Sequence, residues 1–532
     1  MEKIALVVLL LFGVAFLGIL SNRYKFPFPV ALVLSGLLIS RIPGLPVIEL
    51  DPSVVFIIFL PPLLYSAAWQ TSWRDFKTYW RGISLAAIVL VFLTTAIVAV
   101  VAHFIIPEIS WPLAFLLGAI ISPPDAIAAT SVTKGLGLDP RLIAVLEGES
   151  LVNDASGLIA YKYALTAILA GNFVLWQAGL NFVWVVAIGI AIGLLVGYIM
   201  YLVHKNFICD PIIEVTLTLL TPFSSYMIAE YFHVSGVLAV VSTGLYLSFR
   251  SGEIFTNESR IMAYSVWDVV VYILNGLIFI LIGLQLRGVI AGIQDYSRSE
   301  LILYAFIISA VVIILRFIWI IPSAIFPVMM KRINQRAHFN KRNLLVFGWA
   351  GMRGVVSMAA ALALPLTLPG GLPFPHRNLI IYITFCVILA TLVLLGLTLP
   401  WVIKKLNIEP YSIAAEEYEV RTKVVNNTIA HIEENLSLIN GELLNNIKTK
   451  YEIKYNRLQR TDLPAGYFND KEPNLANIFN EYSKLQIDLI AVERKSLNQM
   501  HRSGEVNEEI VRKIERELDL EETRLKLEMY NL

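Results

Sequence analysis

Four carboxylates fall close together in a strongly apolar part of this sequence. Asp125 follows a pair of prolines, whereas Glu147, Glu149 and Asp154 belong to one later segment. A charged side chain inside a membrane is expensive and is usually retained for function. A carboxylate in such surroundings is neutralised either by a proton or by a hard cation. Ion pairing alone would account for one such acid, so four within 30 residues predict a site that exchanges protons for cations.

Neutral oxygen ligands accompany these acids along the chain. Hydroxyl, amide and carboxylate oxygens are the groups that bind hard cations such as Na⁺ and K⁺. We therefore predict that ion and proton are bound by five residues: Asp154, Asn153, Asp125, Ser150 and Ser122.

The two glutamates point in different directions if the segment is helical. At about 100° per residue, Glu147 shares a face with Asp154, and Glu149 points about 140° away from it. Glu147 is thus an accessory candidate, and Glu149 serves another partner. Arg353 lies among small residues in a later span and needs a buried anion, so we expect a structural Glu149–Arg353 pair. Arg316 is the alternative cation, and Arg353 reaching the cytoplasmic surface is the alternative to pairing.

Two of the apolar segments are interrupted near their middle. Ile121–Ala128 contains Pro123 and Pro124, which remove two backbone donors and break a helix. Gly348–Ser357 contains three glycines, which allow helices to approach closely. A kink at the membrane surface is the alternative for the first interruption. Paired broken helices with acids at their crossing are typical of alternating-access transporters.

The elements that must hold these residues are predicted to be membrane helices. The chain has 532 residues, of which 57% are hydrophobic, an excess that contact with membrane lipid explains. A transmembrane helix needs about 20 largely apolar residues. Thirteen segments fit this description: Ile4–Leu20, Phe26–Ser40, Pro52–Trp69, Trp80–Ile106, Pro112–Thr133, Pro140–Ala170, Asn181–Val203, Pro211–Glu230, Val234–Phe249, Val266–Leu286, Leu301–Val328, Leu344–Leu368 and Leu379–Ile403.

The distribution of Lys and Arg orients these helices. Seventeen basic residues of the short loops lie on one side of the predicted membrane and five on the other. The N-terminus is therefore expected outside and the C-terminal tail in the cytoplasm. With the seventh span as a linker, the predicted fold is an all-α polytopic membrane protein. It has two inverted six-helix repeats, with the fifth and twelfth helices broken.

Residues 404–532 form a second predicted domain, after a transport domain at 1–403. They hold 42 of the chain's 83 charged residues. Apolar residues recur at steps of three and four, which predicts three helices with narrow packing seams. The last seam consists of Val511, Ile514, Leu518 and Leu525, and the loop after the first helix contains Pro464, Gly466 and Pro473. We expect a coiled-coil-like regulatory or dimerisation domain.

These motifs resemble the sodium/proton exchangers of the monovalent cation/proton antiporter superfamily, in its first, electroneutral branch of bacterial type. Glu149–Asp154 matches the family's Glu-Ser-Leu-x-Asn-Asp signature, and Gly351–Gly354 matches its Gly-x-Arg-Gly element. Phe59–Leu64 looks like the double-proline stretch of its third span. The resemblance covers residues 1–405.

The resemblance implies exchange of Na⁺ for H⁺ across the cell membrane, with Asp154 as the shared site. It also implies that Asn153 accompanies one-for-one exchange, that Glu149 and Arg353 form the structural pair, and that the protein is a homodimer. One departure is evident. The family usually has proline after the acid of the broken fifth span, whereas here two prolines precede Asp125.

Other classes of function are disfavoured. A net charge of +1 gives no reason to expect nucleic acid, and Cys209 and Cys386 form no metal or disulfide pattern. The sequence lacks the motifs of intramembrane proteases, so we expect neither enzymatic activity nor a cofactor. A cation channel, which would need a recurring pore loop, and a cation/proton symporter remain the alternatives. The spacing of residues does not distinguish Na⁺ from K⁺ or Li⁺.

Overall fold

The computed structural model describes the chain with several gaps. The described residues are 2–24, 26–42, 55–125, 129–130, 138–170, 175–207, 210–293, 296–329, 341–368, 371–407, 413–435, 451, 475–503 and 506–530. Within them the regular structure is helical, apart from one isolated antiparallel bridge between Thr367 and Pro373. The predicted all-α class is therefore confirmed for the described part of the chain.

The chain forms two compact units. The larger, here called the membrane unit, comprises Met1–Ile208, Ile213–Ile254 and Ser265–Pro410. The smaller, here called the tail unit, comprises Cys209–Ile212, Phe255–Tyr264 and Tyr411–Leu532. The tail unit thus includes two short segments that precede the C-terminal tail in sequence.

Fourteen described helices lie wholly or partly in the membrane unit and overlap the predicted spans. They are α1 Glu2–Tyr24, α2 Phe28–Ile39, α3 Leu60–Gln70, α4 Trp73–Ile105, α5 Trp111–Ile121, α6 Pro140–Ala170, α7 Leu175–Phe207, α8 Pro211–Tyr231, α9 Gly236–Ile254, α10 Asn257–Ala291, α11 Arg298–Met329, α12 Lys341–Trp349, α13 Val355–Leu362 and α14 Arg377–Lys405. Most of the second half of the fifth predicted span, Pro112–Thr133, lies outside the described residues.

Length and hydropathy identify which of these helices could cross a membrane. Seven of the described helices are long and apolar enough: α1, α4, α7, α8, α10, α11 and α14, over at least part of each. Three shorter apolar helices lie at Phe28–Ile39, Phe56–Gln70 and Trp111–Ile121. The third is short because the helix ends at Ile121 with Ser122 as its C-cap, as the two following prolines predict.

Small residues allow the helices of the membrane unit to pack closely. A Cβ on Gly118 of α5 would collide with the carbonyl of Thr95 in α4, and one on Gly193 of α7 would collide with the Ala239 carbonyl of α9. The Thr243 hydroxyl of α9 also donates to the Gly193 carbonyl at 2.8 Å. Such backbone contacts hold α5 against α4 and α9 against α7, because side chains at these points would force the helices apart.

The tail unit has an apolar core formed by three helices: α15 Ile413–Asn435, α16 Leu475–Ser503 and α17 Glu508–Tyr530. The predicted last seam is confirmed, because its four residues are all buried in this core. The predicted loop residues Pro464, Gly466 and Pro473 lie outside the described residues.

An ionic cluster is also buried within the tail unit. Arg260, in the first turn of α10, donates to both oxygens of Asp519 in α17, at 2.9 and 3.1 Å. Arg494 of α16 donates to Asp519 at 2.8 Å and to Glu522 at 3.0 Å. Burial raises the pKa of the Asp519 carboxyl, and the two guanidinium groups act against that shift.

Candidate ion-binding site at two broken helices

The site is built where two helices of the membrane unit are interrupted. The first break follows α5 and leaves Ser122–Asp125 without helical structure; Ala126–Ala128 lie outside the described residues. The second separates α12 from α13 and covers Ala350–Gly354. The half-helices before the two breaks, α5 and α12, end with carbonyls that have no partner within the helix, and α13 after the second break begins with amide groups that have none. These groups need partners, because the segments are largely buried.

Asp125 connects the two breaks through both its backbone and its side chain. Its amide donates to the Met352 carbonyl at 2.7 Å. One oxygen of its carboxylate accepts from the amide of Val355, the first residue of α13, at 3.3 Å. A carboxylate at a helix N-terminus is favourable because it meets free amides and the positive end of the helix dipole. A Cβ on Gly354 would collide with this carboxylate, so the contact depends on glycine there.

Arg353 performs the opposite function at the end of α5. Its guanidinium donates to the carbonyls of Ile121 at 3.2 Å and Ser122 at 3.3 Å, and to that of Gly351. Its backbone amide donates to the Thr391 hydroxyl at 3.1 Å. The side chain is 2% exposed. Its cation therefore caps the carbonyl end of the first half-helix, where the helix dipole is negative.

The expected Glu149–Arg353 pair is therefore wrong in its cation. Glu149 forms a bidentate ion pair with Arg316 of α11, and the Arg316 Nη2 to Glu149 Oε2 distance is 2.7 Å. Both side chains are about 2% exposed or less. The Arg316 guanidinium also lies 4.5 Å from the centre of the Phe347 ring in α12. Arg353 is engaged by carbonyls of the breaks, so Arg316, the alternative considered from the sequence, takes the glutamate.

Asn153 and Asp154 lie side by side on α6 and are both buried, with 0% and 7% exposure. The Asn153 amide nitrogen donates to the Pro124 carbonyl at 2.9 Å, which holds α6 against the first break. The Asn153 side-chain oxygen is buried and accepts no hydrogen bond from the described residues. Asp125 is near enough for its charge to act on Asp154. The structure thus brings Asp125, Asn153 and Asp154 together.

The other predicted residues occupy different positions around these three. Ser150 and Glu147 are half-buried on α6 and precede Asp154 by four and seven residues, so they share its face of the helix. The Ser122 hydroxyl is buried at the first break, where it lies 3.1 Å from the Thr95 hydroxyl of α4. Ser122 is therefore already hydrogen-bonded within the protein.

Thr391 and Thr95 contact the breaks but were not predicted from the sequence. Thr391 begins a π-helical turn, Thr391–Leu395, inside α14. Such turns occur often at functional sites, but they are not visible in a sequence. A single threonine in an apolar span usually bonds to its own helix, as both residues do here at 2.8 Å. Their second contacts depend on tertiary packing.

The arrangement can neutralise and bind a small cation in the interior of the protein. Asp125 meets the positive end of the α13 dipole, and Arg353 meets the negative end of the α5 dipole. Glu149 and Arg316 neutralise each other. Asp154 is left as a buried carboxylate beside the free oxygen of Asn153. A carboxylate with a neutral oxygen neighbour can bind either a proton or a hard cation.

Comparison with known proteins reveals similarity along nearly the whole chain. A family model described as "Sodium/hydrogen exchanger, transmembrane" matches residues 7–405. A Bacillus pumilus protein named "Sodium, potassium, lithium and rubidium/H(+) antiporter" is 31% identical over 500 residues, covering 91% of this chain and 74% of that protein. A Synechocystis protein named "Low-affinity Na(+)/H(+) antiporter NhaS1" is 29% identical and covers 92% of this chain and 90% of its own length.

A solved structure has the same fold. The sodium proton antiporter MjNhaP1 from Methanocaldococcus jannaschii superposes with a TM-score of 0.58 at 19% identity. The match covers 76% of this chain and 99% of the other.

Proposed function

The chain belongs to the sodium/hydrogen exchanger family, and we propose that it is a secondary antiporter that exchanges Na⁺ for H⁺ by alternating access. Asp154 binds the proton in one half of the cycle and the cation in the other. The protein is then a multi-pass transporter of the cell membrane in contact with lipid, without enzymatic activity or a cofactor. Its substrates are a monovalent cation and the proton.

The observation that best supports this proposal is the pair of oxygens at Asn153 and Asp154. A buried amide oxygen without a hydrogen-bond donor is costly unless another group binds it. Na⁺ provides such a group, because it is a hard ion that takes carboxylate and amide oxygens as ligands. In this proposal Ser150, on the same helix face, and Asp125 are additional ligands, as the sequence predicts.

One-for-one exchange follows from having a single carboxylate free to change partner. Asp125 caps α13, Glu149 is paired with Arg316, and Asn153 carries no charge. One proton then replaces one Na⁺, and no net charge crosses the membrane. Flux driven by Na⁺ is therefore expected to be independent of a membrane potential imposed with K⁺ and valinomycin, or with a different permeant ion where K⁺ is itself transported. Acceleration by the potential would contradict a single exchanging carboxylate.

We further propose that the N-terminus lies outside, that the tail is cytoplasmic and that two copies form a homodimer. The excess of Lys and Arg in the loops on one side supports this orientation. Residues 404–532 then act as a regulatory or dimerisation domain, and 1–403 as the transport domain. The separate apolar core of the tail unit supports that division.

Everted vesicles with an internal pH-sensitive dye test the exchange directly. Addition of Na⁺ is expected to move protons in wild type and to have no effect in Asp154→Asn, which keeps the shape but loses the charge. Asp488→Asn is the matched control, because Asp488 is an exposed aspartate of α16 in the tail unit, outside the site. The same assay with K⁺ and Li⁺ determines the range of cations.

Three outcomes would contradict the proposal. Exchange by Asp154→Asn at more than about a tenth of the wild-type rate, a loss of about 1.4 kcal/mol in transition-state stabilisation, would remove Asp154 from the mechanism. Proton movement in the same direction as Na⁺ would indicate a symporter. Cation flux uncoupled from protons would indicate a channel.

A further inference from the structure

Tyr161 presents a buried hydroxyl that the proposed mechanism does not use. The residue is 6% exposed and lies in the C-terminal half of α6. Its hydroxyl is buried and has no hydrogen-bond partner among the described residues. The large majority of buried polar groups have a partner, so each exception needs an explanation. A hydroxyl left without a protein partner is free to bind water or a cation.

The position of Tyr161 relates it to the ion site. It follows Asp154 by seven residues on the same helix, which places it on the same face and about 10 Å further along the axis. Gly157 lies between them on that face, and a Cβ there would collide with Pro123 of the first break. The helix face that bears Asp154 and Tyr161 therefore faces the broken helix.

A series of contacts along α13 also connects the ion site with Tyr161. α13 begins at the crossing, where Asp125 holds the Val355 amide. Beyond its other end, Arg377 donates to the carbonyls of Leu362 at 3.3 Å and Leu364 at 3.0 Å. Arg377 is near enough for its charge to act on Tyr161. Tyr161 thus lies towards the end of α13 that is remote from the crossing. The Arg377 charge opposes a bare cation at Tyr161 and favours one that keeps part of its hydration shell.

We propose that the Tyr161 hydroxyl is a binding point for the monovalent cation, or for its hydration water, on the outer half of the path to Asp154. The outer assignment follows from the proposed orientation, in which α6 starts near the cytoplasmic Arg141 and runs outward. The inference rests on the proposed exchange of Na⁺ for H⁺. It adds a ligand that acts during entry or exit and not at the central site.

Tyr161→Phe removes the hydroxyl and retains the ring, so it tests the proposal with little disturbance of packing. The Na⁺ concentration for half-maximal exchange is expected to rise about threefold to tenfold at the outer face, the effect of losing one ligand or hydrogen bond. The value at the cytoplasmic face is expected to remain that of wild type. Right-side-out and everted vesicles give the two measurements. A purely structural role would not produce such sidedness.

The matched control is Tyr163→Phe. Tyr163 is half-buried and lies two residues further on, on another face of α6. Tyr163→Phe also removes only a hydroxyl group, and it is expected to leave the half-maximal Na⁺ concentration unchanged at both faces. Equal values for the two variants at the outer face, while Asp154→Asn remains inactive, would overturn the role of Tyr161 but not the proposed function. If Asp154→Asn also exchanges, the proposed function itself has failed.

Cysteine labelling provides a second test that does not depend on transport rates. Tyr161→Cys is compared with Tyr163→Cys in a chain in which Cys209 and Cys386 are replaced by Ser. A membrane-impermeant cationic thiol reagent applied from outside is expected to modify position 161, and saturating Na⁺ to slow that reaction. Modification from the cytoplasmic face alone, or no modification from either face, would contradict an outer binding point.

Discussion

The two buried arginines of the membrane unit have different partners, and the sequence could not assign them. Both are single cations in apolar spans, and either could neutralise Glu149. Arg353 lies beside a break that exposes several carbonyls, and its guanidinium binds three of them. Arg316 is in a continuous helix and binds a carboxylate. Which cation meets the glutamate depends on how α6, α11 and α12 pack, and spacing along one chain does not reveal that.

A double-mutant cycle at Glu149 tests this assignment. Removing one partner of a buried ion pair leaves an unpaired charge and typically costs about 3–5 kcal/mol. Glu149→Gln and Arg316→Gln are therefore each expected to lower the thermal unfolding midpoint in detergent, and the double variant to lose less than the sum. Arg353→Gln provides the comparison, and its coupling to Glu149→Gln is expected to be smaller than that of Arg316→Gln, because Arg353 acts on Glu149 only through its charge. Additive losses for the Glu149 and Arg316 variants would contradict the observed pair.

At the level of helices, the existence of the breaks could be predicted but not how their ends are capped. Two consecutive prolines mark one interrupted segment in the sequence, and three glycines spaced three residues apart mark the other. That Asp125 would lie at the start of α13, and Arg353 at the end of α5, required the two breaks to cross. The unusual order of Pro123, Pro124 and Asp125 is compatible with this crossed capping of the half-helices, because the aspartate still reaches the Val355 amide.

Gly354→Ala tests whether the crossing of the half-helices is needed for transport. The added Cβ would collide with the Asp125 carboxylate, so the contact between the two breaks must open. The exchange rate in everted vesicles is expected to fall by at least about tenfold, a barrier increase of about 1.4 kcal/mol. Gly82→Ala is the control, because a Cβ at this exposed position in α4 has no neighbour within 4 Å. Wild-type exchange by Gly354→Ala would show that the crossing tolerates displacement of Asp125.

At the scale of the whole molecule, α10 belongs to both units. Its first residues, to Tyr264, lie in the tail unit, and the helix continues without interruption to Ala291 in the membrane unit. The sequence predicted a tail that begins at Lys404, and composition gave no sign that Phe255–Tyr264 would join it. Arg260 was one of many cations on the predicted cytoplasmic side, and its partner Asp519 lies 259 residues further along the chain.

Arg260→Gln is expected to destabilise the tail unit in a pH-dependent way. Arg494 still binds Asp519 in this variant, so only one charge-assisted interaction is lost. Such a loss costs about 1.5–3 kcal/mol. Burial already raises the pKa of Asp519, and without Arg260 it rises further. An acid with a raised folded-state pKa costs stability when ionised, so the loss is largest above that pKa and shrinks as falling pH protonates the carboxyl.

Thermolysin cleavage of the full-length protein during a temperature series measures this effect. The midpoint for tail cleavage in Arg260→Gln is expected to fall below wild type at about pH 8 and to approach it at about pH 5. Arg516→Gln, at an exposed position of α17, is the control and is expected to match wild type at both values. A deficit that grows on acidification would contradict the assigned role of Asp519.

The Glu149–Arg316 pair has a consequence for the order in which the protein is made. The two residues are 167 positions apart, so at about 5–20 residues per second the ribosome completes α6 roughly ten to thirty seconds before α11. During that interval Glu149 lacks the cation that neutralises it in the folded protein. α6 therefore cannot reach its final environment as it is synthesised. Assembly of the ion site must wait until five further helices have followed it out of the ribosome.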